Sequence, residues 1–174
     1  MQFVRIWLLS IAAAIVYGIV HDQVTAHYCV EYFTIGHPPV FHTHSPALLA
    51  FGWGVIATWW MGAFLGFFVG VAATFGKYPE LRISQLLKAM AALLLIMALC
   101  ASVSGVGAYL AARAGRITVF DFGGLLSPAT ALRFTADYWA HSASYAAGFF
   151  GGIGLCVWIF WRRRRLQLAL QFEK

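Results

Sequence analysis

Thirty-one consecutive residues, Pro46 to Gly76, carry no charged side chain. Any fold open to this chain must bury that run or place it in lipid. Two more runs resemble it: Ala89 to Ala112 has no charge, and Trp139 to Trp161 is interrupted only by His141. A bilayer core is about 30 Å thick and a helix rises about 1.5 Å per residue, so roughly 20 apolar residues span it. Each run is long enough alone. Phe3 to Val20 is shorter and contains Arg5 near its start.

Of the 174 residues, 61% are hydrophobic and only 10% charged. Soluble domains carry about 25% charged residues. The chain has too little polar surface to coat a soluble fold. It is expected to be an all-α integral membrane protein, a single transmembrane domain over residues 1–174. Four helices, near 3–33, 46–76, 83–113 and 129–161, are expected to form a four-helix transmembrane bundle. The first run also has the form of a secretory signal, one basic residue followed by an apolar stretch and Ala12–Ala14. An interfacial N-terminal helix beside three spans is a further alternative.

Local signals set the element ends. Gln23 to Thr34 contains no Gly or Pro, so helix is permitted there until Gly36, Pro38 and Pro39 end it. Ser45–Pro46 and Ser127–Pro128 each place a capping residue before a proline at the first helical position. Gly62, Gly66 and Gly70, at spacings of four, form a small-residue face for close helix packing. Gly148, Gly151, Gly152 and Gly154 form another, and Ser102, Gly105 and Gly107 add small residues to the third span.

Basic residues near span ends set orientation. Arg5, Lys77, Arg82, Lys88, Arg162 to Arg165 and Lys174 fall on one side, and Arg113, Arg116 and Arg133 on the other. Nine against three predicts an inner or plasma membrane protein with both termini cytoplasmic. The net charge of +6 then needs no nucleic acid. Trp161 followed by four arginines reads as a stop-transfer anchor facing anionic lipid.

On this topology a His-rich outer loop joins helices 1 and 2. His21 to Ser45 holds five of the six histidines and two of the six acids. His27 and Glu31 stand four apart, as do Asp137 and His141. On helices, each pair shares a face. A histidine and a carboxylate from each of two facing helices is a way bundles build metal centres. The expected ligands are His21, Asp22, His27, Glu31, Asp137 and His141. Imidazole with carboxylate suits Zn, Fe, Cu or Mn. The alternative is that each histidine only satisfies a carboxylate within its helix or across the bundle. Arg133, four residues before Asp137, competes for that carboxylate. His42-Thr43-His44, with His37 nearby, reads as a second site or as a polar, pH-sensitive loop.

Cys29, Cys100 and Cys156 form no paired motif and read as buried free thiols. No nucleophile-elbow, phosphate-loop or dinucleotide pattern stands in a strand–helix context. The leading functional expectation is a membrane metalloprotein with its site on the extracytoplasmic face, redox or hydrolytic. A haem b protein ligated by His27 and His141 is an alternative. Another is a non-catalytic accessory subunit or assembly factor, with the chain in a homo-oligomer or larger membrane complex. Transport is weakly supported, because no helix break stands beside a mid-membrane charge.

Overall fold

The computed structural model describes residues 1–172. Lys174, one of the basic residues in the charge comparison, lies outside them. Among the described residues six helices make up the fold: α1 (Gln2–Tyr28), α2 (Val30–Thr34), α3 (Pro46–Ile56), α4 (Trp59–Thr74), α5 (Ile83–Arg113) and α6 (Pro128–Phe172). There is no strand among the described residues. Four stretches are long and apolar enough to cross a membrane: α1, α3 with α4, α5, and α6.

The bundle is built from two pairs. α1 packs on α3 and α4, and α5 packs on α6. α4 joins the pairs through α6, while α1 approaches α5 only sparsely. Small residues explain the close crossings. A Cβ on Gly18 would stand 2.6 Å from the Gly54 carbonyl, and one on Gly54 would stand 2.6 Å from the Ile19 backbone. Gly62 and Gly66 sit against α1 in the same way, at Ala14 and Ser10. Gly105 meets Ala136 and Ala140, and Gly152 meets Leu65, but Gly107 and Gly154 face open space. The indole of Trp7 donates to the Ala63 carbonyl at 2.8 Å, tying α1 to α4.

Three boundaries differ from expectation. Helix 1 does not continue to residue 33. Cys29 adopts extended backbone (φ −150°, ψ 89°) and ends α1. Its buried side chain packs with Leu126, Ala131 and Phe134, so tertiary packing breaks a segment that has no local breaker. The second span is interrupted at Ala57–Thr58. There the Thr58 hydroxyl donates to the Gly54 carbonyl at 2.5 Å, competing with the backbone ladder. The last helix runs past Trp161 to Phe172, because Arg, Leu and Gln are good helix formers.

Both serine–proline starts are where expected, at Pro46 and Pro128. Ser127 caps, its Oγ accepting the Thr130 N–H at 3.2 Å, whereas Ser45 makes no side-chain cap bond.

The two ends of the bundle are held differently. At the α4–α5 turn, Ile6, Val69, Ala73, Leu81, Leu86, Leu155 and Ile159 form an apolar cluster. Arg163 is buried beside it. Its guanidinium donates to Pro79 (2.8 Å), Ala72 (2.5 Å), Phe75 (2.7 Å) and Tyr78 (2.6 Å) carbonyls. It thereby satisfies α4 carbonyls left without helical partners. One residue of the tetra-arginine run is thus a structural clamp. The opposite end, where α2 folds over, is polar inside.

Candidate functional site

α1 brings His21 and Asp22 to the interior near its last turns, and α6 brings His141 from the far side of the bundle. Each of the three offers one ligand-type atom, and these atoms lie within 4.8 Å of one another. His141 and Asp22 are buried. His141 Nε2 stands 3.3 Å from Asp22 Oδ1, the one ion-pair contact among the described residues. The rings of His21 and His141 meet edge to face, with centroids 4.5 Å apart.

The hydrogen bonds fix the tautomer. His141 Nδ1 stands 2.8 Å from the Asp137 carbonyl, which can only accept. The Nδ1 proton is therefore committed there. Nε2 of a neutral ring then carries a lone pair toward Asp22. His21 Nε2 is buried with no partner, and so is Asp137 Oδ2. Buried polar atoms without partners are costly, about 1–3 kcal/mol each.

α2 forms the roof. Tyr32 stacks on His141 (4.4 Å, 23°), and Phe33 contacts it edge-on (5.8 Å). Burial pushes the Tyr32 phenol well above its usual pKa, so it remains protonated. Above them, His37 is held between Phe33 (5.6 Å) and Trp53 (4.6 Å) and donates to the Tyr32 carbonyl at 2.8 Å. Burial is the main cause that draws the His37 pKa below 6.5.

Below the group, Tyr17 stacks on His21 (5.8 Å, 14°) and its hydroxyl pairs with Ser144 at 2.7 Å. A cavity of about 110 Å³ opens from here between α1, α4, α5 and α6.

Of the six residues expected as ligands, the structure groups His21, Asp22 and His141. Asp137 is buried one turn before His141 but lies outside the 4.8 Å group. His27 and Glu31 are not brought in. The break at Cys29 removes the helical face they were expected to share. His27 is exposed, with Nδ1 2.7 Å from the Gln23 carbonyl. Glu31 accepts from the Cys29 thiol at 3.5 Å. The structure thus brings together three of the six expected residues, and His27 lies outside that group. Arg133 is exposed and makes no ion pair with Asp137. His42 and His44 are exposed, and with the half-buried His37 they form no second ligand cluster among the described residues.

Cys29 is buried as expected, with its thiol pushed up to about 12 chiefly by burial. Cys156 is half-buried, but Cys100 is exposed.

Tyr17, Tyr32, Ser144 and Tyr145 were not singled out from sequence. Two carried a usable signal: Tyr17 stands four residues before His21, and Ser144 three after His141. Helical spacing places each on its histidine's face. No protein family, curated protein or solved structure matches this chain.

Proposed function

We propose that the chain is an integral membrane metalloprotein that binds one divalent transition metal through His21, Asp22 and His141. The observation that carries the reading is the convergence of three ligand-type atoms within 4.8 Å: His141 Nε2 facing Asp22 Oδ1 at 3.3 Å, beside the unpartnered His21 Nε2. Two ligands about 2.1 Å from a tetrahedral ion stand roughly 3.4 Å apart, which matches that contact. The Nδ1–H of His141 on a backbone carbonyl supports it further, because metal-bound imidazoles are commonly oriented that way.

Two histidines and one carboxylate with a position left open suit zinc or non-haem iron, and also manganese or copper. The open position would take water or substrate. A Lewis-acidic ion there would support hydrolysis, and a redox-active one electron transfer. Asp137, with Oδ2 free of partners, would move protons at a bound water.

The nine-to-three distribution of Lys and Arg supports both termini in the cytoplasm and the site toward the extracytoplasmic face of an inner or plasma membrane. Elemental analysis of tag-free protein, with its absorption spectrum, tests the reading. One equivalent of metal is expected, reduced to background in His141→Ala and unchanged in His27→Ala. A metal-free sample that keeps its fold would reject it and favour a non-catalytic accessory subunit.

A further inference from the structure

The cavity beneath the three-residue group changes character along its length. Tyr17, His21, Asp22, His141 and Ser144 line one end, and Val69, Met90 and Leu155 the other. Ser10 and Asp22 both face it, and twelve helical residues measure about 18 Å. The lining over that length is almost wholly apolar, which suits an extended hydrocarbon chain.

Interiors are close-packed, and an empty apolar void forfeits dispersion contacts along its walls. This cavity lies between α1, α4, α5 and α6 in a bundle whose crossings are otherwise tight enough to require glycine. The Ser10 and Thr58 hydroxyls, which also line it, are bonded to main-chain carbonyls four residues back, so the titratable groups stand at the head. α1 and α5 are the least closely packed neighbours around the ring, which leaves a lateral way in from the bilayer.

We propose that the cavity holds the single hydrocarbon tail of a lipid-like molecule whose oxygen-bearing head lies at His21, Asp22 and His141. This deepens the metal-site reading, on which the placing of the head group rests. The tail's position rests on the cavity alone. The substrate class is then a single-tailed amphiphile, oriented tail-inward, with its head at the open metal position.

The test uses full-length, tag-free protein in phospholipid nanodiscs with palmitic acid carrying a mid-chain diazirine. After photolysis, labelled residues are mapped by mass spectrometry and metal is quantified in the same sample. Labelling is expected on cavity residues such as Ala13 and Met97. It should fall at least fivefold in Ala13→Trp with metal content unchanged. Met97→Trp serves as a second blocking variant if the first is not monodisperse. Unlabelled palmitate should compete at least tenfold better than hexadecane, and equal competition would overturn the head-group assignment. Labelling confined to outward residues such as Val16, Leu95 and Leu99, and equal in all variants, would overturn the proposal. Cavity labelling in metal-free protein would uphold the tail site and reject the metal reading. Metal without cavity labelling would do the reverse.

Discussion

Asp22→Asn separates the metal reading from a purely structural role for the buried cluster. The substitution keeps shape and removes charge. Asp22 Oδ1 faces Nε2 of His141 at 3.3 Å. The Asn amide can donate to that nitrogen, so the apoprotein's hydrogen bonding survives or improves. The fold should change by less than about 1 kcal/mol, the worth of one neutral hydrogen bond. Metal affinity should behave differently. Changes to groups that merely orient metal ligands cost about 10–100-fold. Loss of the only carboxylate in the ligand group should cost at least about 100-fold, or roughly 2.8 kcal/mol.

The assay is competition against a chelator of known affinity on tag-free protein, paired with a thermal melt. Exposed His42 and His44 offer a weak second imidazole pair, so the measurement belongs in a His42→Ala/His44→Ala background. Asp121→Asn is the matched control, because that carboxylate is exposed and only accepts the Gly123 N–H at 3.1 Å. Native metal affinity in Asp22→Asn would refute the reasoning. So would an equal loss in Asp121→Asn.

Other expectations follow from the same coordinates. Arg163→Ala strips four carbonyls of a charged donor and should destabilise the bundle by about 2–4 kcal/mol, after water reaches some of them. Arg163→Lys should recover only part, because an ammonium cannot match the guanidinium fork. Unfolding in graded denaturing detergent measures both, and a native midpoint in Arg163→Ala would contradict the clamp. His37 lies outside the spanning helices with its pKa lowered mainly by burial. The unfolded chain therefore binds this proton first as pH falls through 6.5. Stability is complete above that pH and declines below it, by at most about 1.4 kcal/mol per pH unit. His37→Gln should flatten that decline in melts taken between pH 7.5 and 5, and an unchanged slope would remove His37 as its source. The raised pKa of Cys29, about 12, predicts no alkylation at pH 8 in folded protein and ready alkylation once denatured. Mass spectrometry of iodoacetamide-treated samples shows which.

Much of the architecture was legible because lipid-length apolar runs leave little choice of element. The helix starts at Pro46 and Pro128 follow from fixed proline geometry. The breaks at Cys29 and Ala57–Thr58 were not legible, since neither carries Gly or Pro. One arises from distant packing by Leu126 and Phe134, the other from a hydroxyl that could equally have faced lipid. The Cys29 break also explains the misplaced half of the site. Four-residue spacing holds only on a continuous helix, so His27 and Glu31 part company while Asp137 and His141 keep one face. That Asp22 meets His141 depends on helix rotation, which spacing within one helix does not encode. Arg163 was hidden because its three neighbours share its chemistry, and only burial tells it apart.

Arg163 and the Asp22 cluster also show how buried polarity divides into two kinds. At Arg163 four of the five guanidinium N–H donors meet carbonyls, so the charge is spent on holding a turn. At the other end, His21 Nε2 and Asp137 Oδ2 have no partner, and His141 Nε2 meets Asp22 Oδ1 at 3.3 Å. Buried ion pairs add little to stability compared with apolar residues of similar size, and the apolar cluster around Ile6 and Ile159 already packs the opposite end. Stability therefore gives no reason to keep two imidazoles and two carboxyl groups where leucine would pack. Ionisable groups in a spanning bundle are retained chiefly for function, and here His21, Asp22 and His141 line the head of one cavity. The two proposals therefore converge: a cation would take the three ligand-type atoms, and a hydrocarbon tail would lie along the apolar lining below them.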